Sequence, residues 1–214
     1  MKRKRGSKKV NVNTKNLSLY CNNVNGMNSK RDSFDHIVDM KEPDLMVLVE
    51  TKLSLKTNFS IKGYDHVMCN LKYGKEGIFI GARTNKFHSL EQVFVSEGKN
   101  IMTAEISYPS QTLRIIAIHS PQESEKHEVQ TEFYFDLEAE IERACDSDTG
   151  LIIAGDMNAN MESSISPNGR FLHALIDKYN LKILNFDAKT DGKWTCIQKR
   201  GDHCALIAEF NILK

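Results

Sequence analysis

The stretch GDMNAN, residues 155–160, directly follows an apolar run at residues 151–154 and is the most informative part of the chain for its fold. A short apolar run after a turn at residues 148–150 predicts a buried strand. Side chains at positions i and i+2 of an extended chain point to the same face. Asp156 and Asn158 are therefore predicted to project together from the carboxyl end of this strand. A carboxylate transfers protons or holds a cation, and an amide donates and accepts hydrogen bonds.

Three further polar clusters follow apolar runs in the same way, at residues 23–25, at Glu50 and at residues 202–203. Four strand ends that carry Asn, Glu, Asp and His indicate one site for a hard cation and a phosphate group. Each cluster also has a structural interpretation, since Asp156 and Asn158 suit an Asx turn and an isolated strand-end Glu is commonly solvated. The occurrence of all four clusters in one chain favours the functional interpretation.

Length and composition limit the class of protein. A chain of 214 residues fits one domain and is long enough to bury a full core. No apolar run approaches the roughly 20 residues of a membrane helix, and no apolar signal segment follows the basic amino terminus. Five scattered cysteines without a C-x-x-C pair predict reduced thiols. An intracellular protein without a membrane segment is expected.

Positive charge is concentrated at the amino terminus. Residues 2–9 contain six basic side chains, and removing them from the formal net charge of +1 leaves about −5 for the rest. An acidic body with a basic arm is expected where a site holds a cation and the partner is a polyanion. We interpret residues 1–16 as a disordered basic tail that either binds nucleic acid, directs nuclear import or is simply solvated. A nuclear location is favoured.

Hydrophobic periodicity predicts three helices and a series of strands. The first helix is expected to start at Ser29 with Asp32 in a capping box, and the second covers residues 125–145. The third is expected to have Ser166 as N-cap and Pro167 at its first position. Strands are expected at residues 17–24, 45–49, 65–69, 77–83, 90–95, 101–108, 113–119, 151–154, 181–184, 193–197 and 204–210.

The arrangement of these elements predicts the fold class. The strands between residues 65 and 119 are separated by turns at Gly74, Gly98 and Pro109, which indicates a meander. Apolar strands, meander strands and long outer helices together predict an α/β protein (α+β in some schemes). The expected architecture is a four-layer α/β/β/α sandwich of two packed mixed sheets.

Four motifs in order resemble a known family, the endonuclease/exonuclease/phosphatase superfamily with its DNase I-like fold. The closest likeness is to the apurinic-type endonuclease domain of non-LTR retrotransposons, and it extends from about residue 17 to the carboxyl terminus. The four motifs are Asn23-Val-Asn-Gly26, Glu50-Thr-Lys52, Gly155-Asp-Met-Asn158 and Asp202-His203. Supporting matches are Gly77-Ile-Phe-Ile, Asn168-Gly-Arg-Phe-Leu and Trp194-Thr195.

The resemblance implies a metal site. Glu50 corresponds to the main Mg²⁺ carboxylate, with Mn²⁺ as the alternative ion. Asn25 resembles the position that assists this carboxylate, and Asp202 resembles a second carboxylate on the metal side. Mg²⁺ favours oxygen ligands and keeps several waters, so one or two carboxylates suffice.

The resemblance also implies a set of catalytic residues. Asn23 and Asn158 resemble the amides that orient the scissile phosphate, and Asp156 resembles the acid/base group. His203 resembles the imidazole that contacts a phosphate oxygen. His119 stands where the family often has Tyr, and its imidazole can still donate to phosphate.

The carboxyl-terminal part departs from the family pattern. The family has an Ile-Asp-Tyr-like strand between its Trp strand and its Asp-His pair, but here seven residues, 195–201, separate Trp194 from Asp202. The domain at residues 17–214 is therefore expected to carry a deletion near 195–201 and to lack one carboxyl-terminal strand. His203 then loses its carboxylate partner, a role that Asp187 or Asp191 is left to fill.

The sequence thus predicts a magnesium-dependent DNA endonuclease of retrotransposon type. The short carboxyl-terminal segment and the missing reverse-transcriptase region suggest a truncated or internally deleted copy, whose catalytic competence stays open. DNA is the expected partner and a monomer is favoured. Two alternatives remain: a non-catalytic remnant that binds nucleic acid, and a phosphatase for a small phosphoester. The basic arm argues against the second.

Overall fold

The computed structural model of the chain describes residues 16–72, 74–108, 111–147, 149–159, 166–183 and 206–211. Nine strands and three α-helices lie within these residues. The helices are α1 (Arg31–Lys41), α2 (His127–Asp146) and α3 (Pro167–Tyr179). The strands are β1 (Asn16–Asn23), β2 (Leu45–Val49), β3 (Tyr64–Cys69), β4 (Ile78–Arg83), β5 (Ser89–Val95), β6 (Ile101–Tyr108), β7 (Gln111–His119), β8 (Gly150–Asp156) and β9 (Leu206–Asn211).

The strands form two mixed sheets. The first sheet has the order β3-β4-β2-β1-β9, in which β1 and β2 run parallel and the other neighbours antiparallel. The second sheet has the order β5-β6-β7-β8, in which β7 and β8 run parallel. Each sheet therefore contains one pair of strands whose carboxyl ends lie at the same edge.

Three apolar cores separate four layers. The inner faces of the two sheets pack together through residues such as Leu19, Val47 and Ile115. On the outer face of the first sheet, Phe34 of α1 packs into a core with Tyr20, Met46 and Leu48. α2 and α3 cover the outer face of the second sheet. The predicted four-layer sandwich is confirmed.

Several elements have the predicted bounds because their signals are local. β2 is a continuous apolar run that is buried at every position, and β6 also begins and ends as predicted. α3 begins at Pro167, and the Ser166 hydroxyl accepts a hydrogen bond from the Gly169 N–H at 3.1 Å. This N-cap confirms the predicted helix start.

The predicted start of the first helix is wrong. Residues 28–30 form a 3₁₀ turn, and α1 begins at Arg31 with Lys30 at the N-cap and no capping side chain. Ser29 lies within the 3₁₀ turn and its hydroxyl donates to the Gly26 carbonyl at 3.2 Å.

Two further predictions need correction. The strands between residues 64 and 119 do not form one meander, because β3 and β4 belong to the first sheet and β5, β6 and β7 to the second. Residues 181–183 have no strand structure. The predicted strand at 193–197, the deletion near 195–201 and the basic tail at 1–15 lie outside the described residues. No helix in the described part of the chain is both long and apolar enough to cross a membrane.

Candidate active site

One half of the site lies where β1 and β2 end side by side. Their register places Asn23 opposite Val49. Beyond the strands, the Gly26 N–H donates to the Glu50 carbonyl at 2.8 Å. The Lys52 N–H donates to a third loop, at the Glu76 carbonyl, at 2.6 Å. Three loops are thus joined through their backbones, which fixes the direction of the side chains they carry.

Left-handed backbone conformations shape this half. Asn25, Glu50 and Lys52 have φ values of +42°, +51° and +53°. Such conformations are uncommon for residues other than glycine and persist where the surrounding structure enforces them. Asn25 is further held by its N–H, which donates to the Asn23 side-chain oxygen at 3.1 Å in an Asx turn.

The other half of the site lies where β7 and β8 end side by side, with His119 opposite Asp156. Gly155 has a φ of +140°, and a Cβ atom there would lie 1.9 Å from the Ile118 carbonyl oxygen. Only glycine permits this approach of the two backbones. Gly155 of the GDMNAN stretch therefore allows β8 to approach β7 closely, which brings Asp156 to the end of β7.

Asp156 and Asn158 form the second Asx turn. The Asn158 N–H donates to Asp156 Oδ1 at 3.0 Å, and Asn158 has a φ of +41°. The interpretation of this pair as an Asx turn is therefore correct. Asn158 also lines the pocket, so the turn does not exclude a role in the site. The Asn158 amide donates to the Ser120 carbonyl at 2.6 Å, which ties the turn to the end of β7.

The two halves meet through Asn23. Its side-chain amide donates to Glu50 Oε1 at 2.7 Å and to Asp156 Oδ2 at 2.8 Å. Asn23 is buried, and Glu50 lines a pocket of about 510 Å³ together with His119 and Asn158. The structure thus brings Asn23, Glu50, His119, Asp156 and Asn158 to one place.

Glu50 is held in a polar environment. Burial alone would raise its pKa, but hydrogen bonds from Asn23 and Lys52 and attraction to His119 outweigh burial and lower the pKa below its ordinary value. Lys52 Nζ lies 3.2 Å from Glu50 Oε2 and also donates to Asn25 Oδ1. The two nearby residues that the sequence assigned to a metal are therefore joined by an ammonium group.

The site contains groups suited to a divalent cation. Glu50, His119 and Asp156 each offer a ligand atom, and these atoms lie within 4.8 Å of one another. Carboxylate oxygens suit hard cations, and imidazole nitrogen suits transition metals. The lowered pKa of Glu50 keeps its carboxylate ionised, as a metal ligand must be. The residues present fit a bound divalent metal.

Sequence reasoning missed three residues that shape the site. Lys52 lies two residues after Glu50, and this spacing is the signal in the sequence that would place its side chain near the carboxylate. Ser120 contributes its carbonyl as the acceptor for Asn158. Asn168, fully buried in the first turn of α3, donates to the Pro121 and Asn158 carbonyls at 2.8 and 2.9 Å. A polar residue directly after a Ser-Pro helix start was its signal.

Two predicted site residues cannot be placed. Asp202 and His203 lie outside the described residues, as do Trp194, Asp187 and Asp191. Their proposed relation to the pocket therefore rests on the sequence.

The fold and the gathered carboxylates and amides define a domain of the DNase I-like class. The profile of the Endonuclease/Exonuclease/phosphatase family matches residues 23–197, which is most of the chain, and the chain belongs to this family. Its members are hydrolytic nucleases or phosphatases, and its enzymes use divalent metals.

Solved structures share the fold. The 3′ phosphatase NExo from Neisseria, bound to a product DNA hairpin, has a TM-score of 0.66 at 17% identity, over 91% of this chain and 99% of that one. The AP endonuclease LMAP from Leishmania major gives 0.64 at 15% identity, over 78% and 68% of the two chains. The APE2 catalytic domain of Xenopus laevis gives 0.61 at 16%, over 92% and 82%. At these identities the likeness establishes the fold.

Proposed function

We propose that this chain is a metal-dependent phosphodiester hydrolase that cleaves DNA, of the endonuclease type found in non-LTR retrotransposons. The observation that carries the proposal is the Asn23 amide, which donates to Glu50 and Asp156 across the junction of the two sheets. In this arrangement Glu50 offers a carboxylate for a cation at the pocket. The Asn23 amide donor joins it to Asp156, a second carboxylate that would transfer a proton. Metal binding, proton transfer and hydrogen-bond donation to developing charge each favour phosphodiester hydrolysis.

Each residue has a part in this proposal. A bound divalent metal, Mg²⁺ or Mn²⁺, would offset charge on the phosphate, and Glu50 with Asn25 would hold it. The Asn23 amide and the Asn158 N–H donate to the two carboxylate oxygens of Asp156, which fixes the plane of this carboxylate. A carboxylate held in this way would take a proton from water. Asn158 lines the pocket and has a second amide hydrogen to direct at a phosphate oxygen.

Lysines flank the pocket on the side of the Glu50 loop. Lys52 and Lys75 line it, and Lys56 and Lys72 are exposed on the same two loops. The two lysines at the pocket suit a polyanionic strand, because basic side chains neutralise phosphates and release counterions. We propose that the basic tail, which precedes β1 at residues 1–15, extends this DNA contact. Its removal would then reduce the salt dependence of DNA binding.

Nicking of supercoiled plasmid tests the proposal. The full chain should convert supercoiled to open-circular DNA with Mg²⁺ or Mn²⁺, and a chelator should stop the reaction. Glu50→Gln and Asp156→Asn should lose the activity, whereas Glu91→Gln, at an exposed position on edge strand β5, should keep it. Activity that survives the chelator or both site variants would refute the assignment.

A non-catalytic DNA-binding remnant is the second candidate. The observation that favours it is the spacing of only seven residues between Trp194 and Asp202. We propose Asp202 as a further metal-side residue and His203 as a phosphate contact, without a family-type carboxylate partner for that imidazole. DNA binding without nicking would support the remnant. Nicking of plasmid but no release of phosphate from a small phosphoester would separate the endonuclease from a phosphatase.

A further inference from the structure

The imidazole of His119 lies against the carboxylate that is proposed to hold the metal. His119 Nε2 is 3.4 Å from Glu50 Oε1, and the two side chains are 18% and 20% exposed. Both line the same pocket. His119 therefore offers a partly enclosed ring nitrogen beside the carboxylate that is proposed to hold the cation.

The distance between the two donors suits a shared ion. Ligand atoms at about 2.1 Å from a metal and adjacent in its coordination shell are about 3 Å apart. The observed 3.4 Å needs only a small closing movement. Asp156 stands in a different relation to Glu50, because the Asn23 amide donates to an oxygen of each carboxylate. The geometry therefore favours Glu50 and His119 as the direct pair, with Asp156 near enough to join directly or through water.

A nitrogen ligand changes which metals the site favours. Mg²⁺ prefers oxygen ligands and gives up its waters reluctantly. Imidazole suits first-row transition metals, and a mixed N/O site binds them in the Irving–Williams order, with Co²⁺ above Mn²⁺.

We propose that His119 is a direct ligand of the metal and that this site selects a transition-metal dication over Mg²⁺. The inference rests on the proposed function for the presence of a metal and deepens it by naming the class of ion. It gives His119 a role other than contact with phosphate.

We expect a His119 variant to fold. Its backbone N–H donates to the Asn100 carbonyl at 2.8 Å, and this bond does not depend on the side chain. His119→Gln keeps a polar group of similar reach but offers an amide oxygen in place of the imidazole nitrogen. His36→Gln is the matched control, because His36 is exposed on α1, on the outer face of the first sheet.

Mn²⁺ binding by the full chain, followed by electron paramagnetic resonance, provides the test without requiring catalysis. Pulsed measurements on bound Mn²⁺ detect a directly bonded ¹⁴N nucleus. We expect this coupling in the wild-type chain and in His36→Gln, and its loss in His119→Gln. In competition, Co²⁺ should displace Mn²⁺ from the wild-type chain at concentrations at least about tenfold below those of Mg²⁺. His119→Gln should reduce the ratio of Co²⁺ affinity to Mg²⁺ affinity by about tenfold, and its Mg²⁺ affinity should change little.

The outcomes distinguish this inference from the proposed function. Mn²⁺ that binds, depends on Glu50 and shows no ¹⁴N coupling would overturn the role of His119 and leave the metal site intact. Coupling that persists in His119→Gln would also overturn it. A wild-type chain that binds no Mn²⁺ would overturn both the inference and the metal dependence of the proposed function. Plasmid nicking, measured separately, decides whether the chain cleaves DNA.

Discussion

The turns after β1 and β8 have the same shape and opposite chemistry. In each turn, the side-chain oxygen of residue i accepts from the N–H of residue i+2, at 3.1 Å for Asn23 and 3.0 Å for Asp156. The i+2 residues, Asn25 and Asn158, have φ values of +42° and +41°. Besides this oxygen, Asn23 has an amide group that donates hydrogen bonds, whereas the second oxygen of the Asp156 carboxylate can only accept them. The two turns therefore bond to each other, with the Asn23 amide 2.8 Å from Asp156.

Their surroundings also differ. The amide oxygen of Asn25 accepts from Lys52, an ammonium group. The amide of Asn158 instead donates to the neutral Ser120 carbonyl. The first turn thus stands among charged groups beside Glu50, whereas the second is anchored to the backbone of Ser120, the residue that follows β7. We infer that the first turn arranges charge for the metal and the second presents Asp156 for proton transfer.

The first prediction concerns Asp156→Asn, which gives both turns an Asn as their first residue. The variant keeps the shape of the side chain but presents an amide to Asn23, and it cannot take a proton. DNA cleavage should fall by about 10²- to 10⁴-fold, measured by single-turnover nicking at saturating metal. Circular dichroism should show a folded protein. Cleavage within about twofold of wild type would assign proton transfer to another group.

The second prediction removes the close approach that only the second turn uses. Gly155→Ala would place a Cβ 1.9 Å from the Ile118 carbonyl oxygen at a φ of +140°. The free energy of unfolding in urea should fall by at least about 3 kcal/mol. Gly63→Ala is the control for a positive φ without a clash, because Gly63 has a φ of +83° and no atom within 4 Å of the added Cβ. It should cost about 1 to 2 kcal/mol. Equal losses would show that backbone contact with β7 is unimportant.

The sequence predicts the elements better than the connections between them. β2 and α3 were found correctly, because an apolar run and a Ser-Pro cap are local signals. The meander was wrong because the division of strands between two sheets depends on long-range pairing, which no short window contains. The start of α1 was wrong because Ser29 bonds to Gly26, an alternative with the same local sequence signal.

The same limit applies to the site. Spacing of i and i+2 after apolar runs predicted that Asn23, Asp156 and Asn158 lie at strand ends. It did not predict that Lys52 would lie between Asn25 and Glu50. That contact depends on left-handed backbone conformations at all three residues, which Asn tolerates but Glu and Lys rarely adopt. Local patterns therefore locate the groups, and loop geometry decides which of them touch.

The third prediction places a carboxylate at the first residue of both turns. Asn23→Asp removes the donor to both carboxylates and places a third acid beside them. Cleavage should fall by about 10- to 100-fold, since displaced groups lose rate steeply. Asn23→Asp should also lower the free energy of unfolding in urea. In the double variant with Asp156→Asn, the amide is at position 156 and the carboxylate at position 23, so a donor again faces an acceptor. This variant should regain part of the lost stability but none of the cleavage. Recovery of cleavage would contradict the division of roles between the two turns.

The last prediction concerns the Lys52 ammonium group, which donates to Asn25 of the first turn. The Lys52 ammonium group lies 3.2 Å from Glu50 Oε2 with its side chain 40% exposed, so solvent weakens its effect on a nearby cation. Lys52→Met should therefore raise Mn²⁺ affinity only about three- to tenfold, as measured by titration calorimetry. Lys56→Met, an exposed change nearby in the sequence, should leave Mn²⁺ affinity unchanged. DNA affinity at low salt should fall in both variants, because each removes a positive charge near the strand. A weaker hold on Mn²⁺ in Lys52→Met would mean that Lys52 positions Glu50 for the metal and does not compete with it.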